Sequence, residues 1–367
     1  MRKARFEKQY KSSFYGVLSR RVNTYFESTS TSPRANGLMI FKIVLFSTIF
    51  LGLYLLIITN RFSATMVIPA VLCFGISSAL LGFNIAHDAV HGSLFRSPTL
   101  NRVFSFSFDI IGISSYVWKL KHNIIHHNYP NLQQADFDIE AAPFLRLSPA
   151  DQLYRYHKYQ HFYAPVVYLL FSLSLVFFSD ISIMLCMKRE TIDGRSHPVS
   201  QKMLFVAAKA TYIFFMIVLP LLVLPYNASA VLSAFVLMHF MLSSMLAYIL
   251  IPAHLFEQAV FAQKENGRVN EDWAVHQMKS TLDYSRTSRW CNFLLGGFNI
   301  NVVHHLFPRI CHVHLIAVSE IVKQTAEEFR VTYHETSMGK AIVSHFRLLK
   351  LLGAHRDPFQ PNNGHAA

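Results

Sequence analysis

Four long apolar runs, at residues 38–59, 63–86, 203–225 and 229–252, constrain this chain more than any other feature of its sequence. Each holds at least ~20 residues, enough for an α-helix to cross a hydrocarbon core of ~30 Å. Backbone N–H and C=O groups in lipid have no water to bond, so helices are the spanning form expected. Asn60 and Arg61 separate the first two runs, and Tyr226 and Asn227 the last two, which makes two hairpins with very short turns. A mean hydropathy of +0.28, with 52% hydrophobic and only 15% charged residues, fits one integral-membrane unit better than a set of soluble domains. The expected fold is all-α and integral to a membrane: four transmembrane helices in two hairpins, interfacial helices, and a cytosolic helical cap carrying a histidine-rich di-metal site.

Charge and cysteine usage narrow the function. The formal net charge is +13, but the basic residues are dispersed among apolar segments and no nucleic-acid motif accompanies them. Attraction to anionic lipid headgroups, and to acidic substrates or donors, accounts for the charge without nucleic acid. Cys73, Cys186, Cys291 and Cys311 show no CxxC spacing, so neither a disulfide framework nor a thiolate metal site is expected. Residues 1–37 carry eight Lys and Arg against Glu7 and Glu27 and contain no apolar core of a signal peptide. Within them Phe6, Tyr10, Phe14, Val17, Leu18, Val22 and Tyr25 recur every three or four residues. This predicts an amphipathic helix over 5–27 that lies on the membrane surface or docks on the cytosolic part. STSTSPRANG then breaks it. The expected organisation is an amino-terminal cytosolic segment (1–37), a membrane domain (38–352) and a flexible tail (353–367). Lys42, near the start of the first run, is expected to snorkel to the headgroups.

Histidine must supply any metal chemistry. His87 and His91 stand in HDAVH, His122, His126 and His127 in HNIIHH, and His304 and His305 in NVVHH, with His254 alone at the end of the fourth run. Residues four apart share a helix face, so His87/His91 and His122/His126 each have the spacing for two imidazoles on one ion. His127 and His305 each follow another histidine and point roughly 100° further round, toward a second ion beside the first. Two clustered metals therefore fit better than one, while neutral imidazole accepts zinc, copper, nickel and iron alike.

The histidines also decide topology. The weaker run 104–117 is 14 residues, contains Asp109, and would separate HDAVH from HNIIHH if it crossed. The run 162–178 could span, but would then strand His254 on the wrong side. Both are therefore expected to be interfacial or re-entrant. The basic segments share one side and the two short turns carry only Arg61, which places the histidines on the cytoplasmic face. Residues 312–330 and 338–352 read as two further amphipathic helices.

These motifs resemble the three histidine boxes of the membrane fatty acid desaturases. HDAVHGS resembles the first box, WKLKHNIIHHNYPN the second, and GGFNINVVHHLFPRICHVH the extended third box of the front-end and bacterial linoleoyl-CoA type branch. AHLFE around His254 and WAVHQ at Trp273 to Gln277 resemble the same branch, so the likeness covers most of residues 5–350. The resemblance implies a non-haem centre of two iron ions that activates O2 and removes two hydrogens from a fatty acyl chain carried by CoA or lipid. It implies ligation by His87, His91, His122, His126, His127, His254, His304 and His305. Electrons would come from an external donor of the cytochrome b5 or ferredoxin type, since no HPGG signature of a fused cytochrome b5 domain is present. The branch has Gln or His three residues before the last HH pair, where this chain has Asn301, and Glu just before it, where this chain has Val303. His276 is a candidate replacement ligand for Asn301.

Acids that hold the far ring nitrogen of each ligand are expected among Asp88, Asp136, Asp138 and Glu140. His239, inside the fourth run, is expected to make a hydrogen bond within the bundle. His157 and His161, in YRYHKYQHFY, are read as interfacial, and Trp118, Lys119 and Lys121 either as contacts for an acyl carrier's headgroup or as an aromatic belt with snorkelling lysines. His312 and His314 are read as structural or solvated. Three other activities are compatible with parts of the pattern: a hydroxylase of the same superfamily, a membrane zinc hydrolase, and a non-catalytic metal-binding protein or transporter. HDAVH matches HExxH only loosely, and eight histidines exceed the needs of one zinc.

Overall fold

The computed structural model describes residue 6 and residues 13–133, 135–141, 143–185, 196–264 and 268–354. Among the described residues four helices are long and apolar enough to cross a membrane: Gly37–Ile58, Thr65–His91, Val199–Val223 and Ala228–Ala253. The first begins where the Asn36 side chain accepts the Met39 N–H at 3.1 Å, and the fourth where Asn227 accepts that of Ala230 at 2.8 Å. Both are side-chain caps on otherwise orphaned amide groups. The two short turns meet each other, because the Tyr226 hydroxyl donates to Asn60 Oδ1 at 3.0 Å. The opposite ends of all four spans therefore open on one side.

The second span runs further than the expected 63–86 and carries the first histidine pair on its own last turn. It does so through a π-helical turn at Gly82–Ala86, in which the His87 N–H reaches back five residues to the Gly82 carbonyl. The third span has few buried residues and exposes Met203, Val206 and Leu222, as a helix facing lipid requires.

Neither weak run is a straight crossing. Around the first, the chain forms the short helices Pro98–Ser105, Ser107–Ile110 and Ser115–Trp118. The second lies in a helix pair, Arg155–Tyr168 and Phe171–Leu185, bent by 75° at its break. Polar groups in the bundle hold this pair. Lys209 Nζ donates to the carbonyls of Gly112 (2.6 Å) and Val176 (2.7 Å) and to Asp180 Oδ2 (2.8 Å). His239 joins Ser172 Oγ (2.8 Å) to the Tyr212 hydroxyl (2.7 Å), which is the internal hydrogen bonding expected of it.

Several expectations need correction. Lys42 does not snorkel: it is 1% exposed, and its Nζ lies 2.5 Å from His312 Nε2. The cap sits over the start of the first span, so an acceptor is nearer than any headgroup. His157 is buried rather than interfacial, with Nε2–H donating to the Pro143 carbonyl and Nδ1 accepting the Tyr154 N–H. Trp118 packs on Phe108 and His122, and Lys121 pairs with Asp138 at 2.6 Å, so neither forms a belt. The last helix, Met338–Ala354, takes in Gly353, whose Cα sits so close to the His157 carbonyl that a Cβ would be 2.1 Å from its oxygen. The rest of the expected tail, and Tyr10 and Cys186, lie outside the described residues.

The cap has its own core. The amino-terminal helix Phe14–Ser28 buries Phe14, Leu18, Val22 and Phe26, a stripe at four-residue steps. It packs with Ala274, Val302, Val303, Val318 and Val322, and Arg21 clamps Glu328 through bonds of 2.8 and 2.7 Å. Of the two placements expected for this helix, the structure takes docking on the cap.

Gly75 lets the second and fourth spans touch, since a Cβ there would lie 2.5 Å from the Met238 carbonyl oxygen and 2.9 Å from Met241 Cβ. Gly52 faces open space. Gly75→Leu should therefore cost about 1–3 kcal/mol or more by overpacking. It should lower the melting temperature in detergent, while Gly52→Leu should leave it close to the wild-type value.

Candidate metal centre

Each histidine group arrives on an element that the local sequence can form. His87 and His91 close the second span, where Gly92 takes the left-handed conformation (φ 67°) that ends the helix. His122 and His126 lie in a π-helix, Lys119–His126, and His127 follows it. His254 follows the short turn at the end of the fourth span. His304 and His305 belong to the six-residue helix Asn301–Leu306, entered through Gly296 and Gly297. Asp283 Oδ1 accepts the Val302 N–H at 2.7 Å and so caps that helix.

All eight rings come together. His87, His91, His122 and His304 form one group and His126, His254 and His305 another, with the candidate ligand atoms of each within 4.8 Å of one another. His127 stands between them, its ring 4.6 Å from those of His91 and His304 and 4.3 Å from that of His305. The grouping differs from α-helical expectation. His122 and His126 lie within reach of each other but join different groups, and it is His127 Nε2 that comes within 3.2 Å of His122 Nε2. The π-helix contributes, because its i→i+5 hydrogen bonding widens the turn and carries His127 round toward the face of His122.

Residues 62–337 match the family model described as fatty acid desaturase. This chain belongs to the fatty acid desaturase family. It is 31% identical to an sn-1 linoleoyl-lipid 6-desaturase of Arthrospira platensis, over 92% of both chains. It is 30% identical to an acyl-lipid (8-3)-desaturase of Physcomitrium patens, over 93% of this chain and 72% of the other. A Delta(5) fatty acid desaturase A of Dictyostelium discoideum is 29% identical, over 95% of this chain and 76% of its own. The protein is accordingly an oxidoreductase of lipid metabolism.

The desaturase's imidazoles fit metal ions. His91 Nε2, His304 Nε2 and His305 Nε2 are buried without a hydrogen-bond partner. A buried polar atom left unpaired is costly, and several in one cluster call for a shared ligand. His126 Nε2 and His254 Nε2 are 3.1 Å apart, and His87 Nε2 and His122 Nε2 3.2 Å.

Only some of the expected acids touch a ring. Asp136 faces His126 Nδ1 at 3.0 Å and also accepts the Asn131 and Asp138 N–H groups. Asp138 lies 3.3 Å from the same nitrogen. Glu140 is exposed, and Asp88 bonds His312 and Cys311 rather than a ring of the cluster. Asn301 Nδ2 sits 2.9 Å from His254 Nε2, at the edge of the cluster. His276 instead has both nitrogens engaged, by the Pro130 carbonyl at 2.8 Å and Glu271 at 3.0 Å, and leaves none for a metal. Its neighbour Gln277, which no metal-ligand spacing singles out, accepts from His305 Nδ1–H at 2.9 Å. Nor does any such spacing single out Asp283. Val303 is buried in the apolar cap core with Val302, Leu306 and Val318, where an ionised Glu would be costly.

Burial, joined by repulsion from neighbouring rings, holds His122, His127, His254 and His305 well below the usual histidine pKa. Burial pushes His304 down to about 3. At His126 burial also disfavours the cation, but Asp136 and Asp138 outweigh it and raise the pKa. In the metal-free desaturase the five depressed groups take up protons on unfolding once pH falls through about 6.5, so stability is lost toward acid. His126 contributes with the opposite sign, its stabilisation fading as pH rises through its raised pKa. The net expectation is a lower melting temperature for metal-depleted protein at pH 5.5 than at pH 7.5, read by scanning fluorimetry.

Proposed function

We propose that this protein introduces a double bond into a lipid-linked fatty acyl chain, using O2 at a two-iron centre on the cytoplasmic face of the membrane. The convergence of eight imidazoles, seven buried and that of His254 partly so, at the common end of four apolar spans carries the reading. His87, His91, His122 and His304 would hold one iron, and His126, His254 and His305 the other, with His127 between them and the Asn301 amide beside His254. When bound, the metal pair supplies oxidising power that no side chain has: O2, two electrons, two protons and two hydrogens from adjacent carbons leave as two waters.

The chain's own residues orient and protect. Asp136 accepts from His126 Nδ1–H and Gln277 from His305 Nδ1–H, which turns both Nε2 atoms toward the cluster. Burial keeps most of the imidazoles neutral and so available as ligands. The three relatives described above are named as desaturases of linoleoyl-lipid, acyl-lipid and fatty acid, which favours a lipid-linked substrate over a soluble one. The basic residues of segment 1–37 belong on the histidine side, while the opposite turns carry only Arg61, which supports a cytoplasmic site open to an external donor of cytochrome b5 or ferredoxin type. Residues 38–352 then form the catalytic unit, with the helix Phe14–Ser28 docked on it.

Expression in a host of known lipid composition, with mass spectrometric location of double bonds, tests the activity. New acyl species two hydrogens lighter are expected, and His126→Ala should abolish them. Absence of any new double bond with iron and reductant supplied would sink the reading, and gain of one oxygen would point to a hydroxylase. Asp136→Ala and Gln277→Ala should each weaken metal binding by about tenfold to a hundredfold, measured as metal retained during dialysis against a chelator.

A further inference from the structure

Lys42 is a buried cation beside the histidine cluster that the reaction does not use. Its Nζ lies 2.5 Å from His312 Nε2, and His312 Nδ1 lies 2.8 Å from Asp88 Oδ2. That one carboxylate oxygen also accepts the His312 backbone N–H at 3.1 Å and the Cys311 S–H at 3.0 Å. The order of donors follows from the chemistry. An ionised carboxylate only accepts, so Nδ1 carries the proton and Nε2 is left to accept from the Lys42 ammonium. A neutral imidazole thus joins one buried cation to one buried anion, and neither charge is left unpaired. Asp88, Cys311 and His312 have the composition of a small metal site. The ammonium at one ring nitrogen and three donors on one oxygen make it a closed hydrogen-bond network instead.

The network joins three separate elements. Lys42 is on the first span, Asp88 follows His87 on the last turn of the second, and Cys311 and His312 follow the helix that carries His304 and His305. The backbone is tight at the same place. A Cβ on Gly296 would lie 2.2 Å from the Phe83 carbonyl oxygen, and one on Gly297 2.7 Å from His312 Cβ. Both glycines have positive φ, 59° and 85°. The Cys311 N–H donates to the Pro33 carbonyl at 2.9 Å, and Arg34 donates to the Gly92 carbonyl. Here the first and third histidine groups are held in mutual position.

We propose that Lys42, His312 and Asp88 form a clasp of positioning residues that sets His87 and His91 against His304, and so sets the affinity of that four-histidine group for its ion. The inference rests on the two-metal reading above.

Cobalt(II) titration of metal-free protein, followed by its visible absorption, tests it without turnover. Wild type should show two binding steps, and His304→Ala identifies the step belonging to the four-histidine group. Lys42→Met and His312→Ala should weaken that step by about tenfold to a hundredfold and leave the other in place. His312→Gln should restore it, because its amide offers a donor toward Asp88 and an acceptor toward Lys42. Both steps unchanged, both weakened alike, or His312→Gln as poor as His312→Ala would overturn the clasp. If Lys42→Met and His312→Ala are not recovered folded, His312→Gln decides alone: a wild-type step supports the clasp and a lost step overturns it. A wild type with fewer than two steps would overturn the two-metal reading, and the clasp with it.

Discussion

Everything at the histidine end depends on one constraint, that a helix crossing a bilayer must be about 20 residues long and must satisfy its own backbone. Each hairpin leaves its two far ends on one side, and because neither weak run between the hairpins is a straight crossing, all four ends share that side. The bond from Tyr226 to Asn60 ties the two turns together, and the contact at Gly75 brings the second and fourth spans against each other. The second span then delivers His87 and His91, and the fourth delivers His254, to a common level. The remaining histidines are brought there by polypeptide that does not cross.

Holding eight imidazoles in so small a volume has electrostatic consequences. Few of them can be charged in the absence of a metal, because burial and mutual repulsion act in the same direction. His126 is the exception, since Asp136 and Asp138 face it. Its ring is fixed by carboxylates and that of His305 by an amide, Gln277. The same economy governs the neighbouring Lys42, Asp88 and His312, where charges of opposite sign are separated by one neutral ring.

The main features of the site were legible because they are local. Histidine spacing is a property of adjacent residues, and the parity argument needs only the lengths of apolar runs. Gln277 and Asp283 were not legible: each acts on the Asn301–Leu306 helix from a segment some twenty residues upstream, and only the folded chain shows which faces which. Asp88, inside the first histidine motif, is by sequence position a stronger candidate than Asp136 to support a ligand. The structure separates them, since Asp136 meets His126 and Asp88 meets His312. His276 lost its place as a ligand for a similar reason, because Pro130 and Glu271 had already taken its nitrogens.

The sequence by itself determined four membrane-length helices, two hairpins, a common end of the bundle at which the histidines gather, and the residue type available to bind metal. These follow from hydrophobic length and from spacing along one chain. Tertiary structure alone decided which histidines share a group, because the π-helix at Lys119–His126 changes which rings align. It also decided the fate of Lys42, whose partner lies 270 residues away. Hydrophobic pattern specifies which face of a helix is buried, but the pairing of one buried polar group with another depends on distances that exist only after the chain has folded.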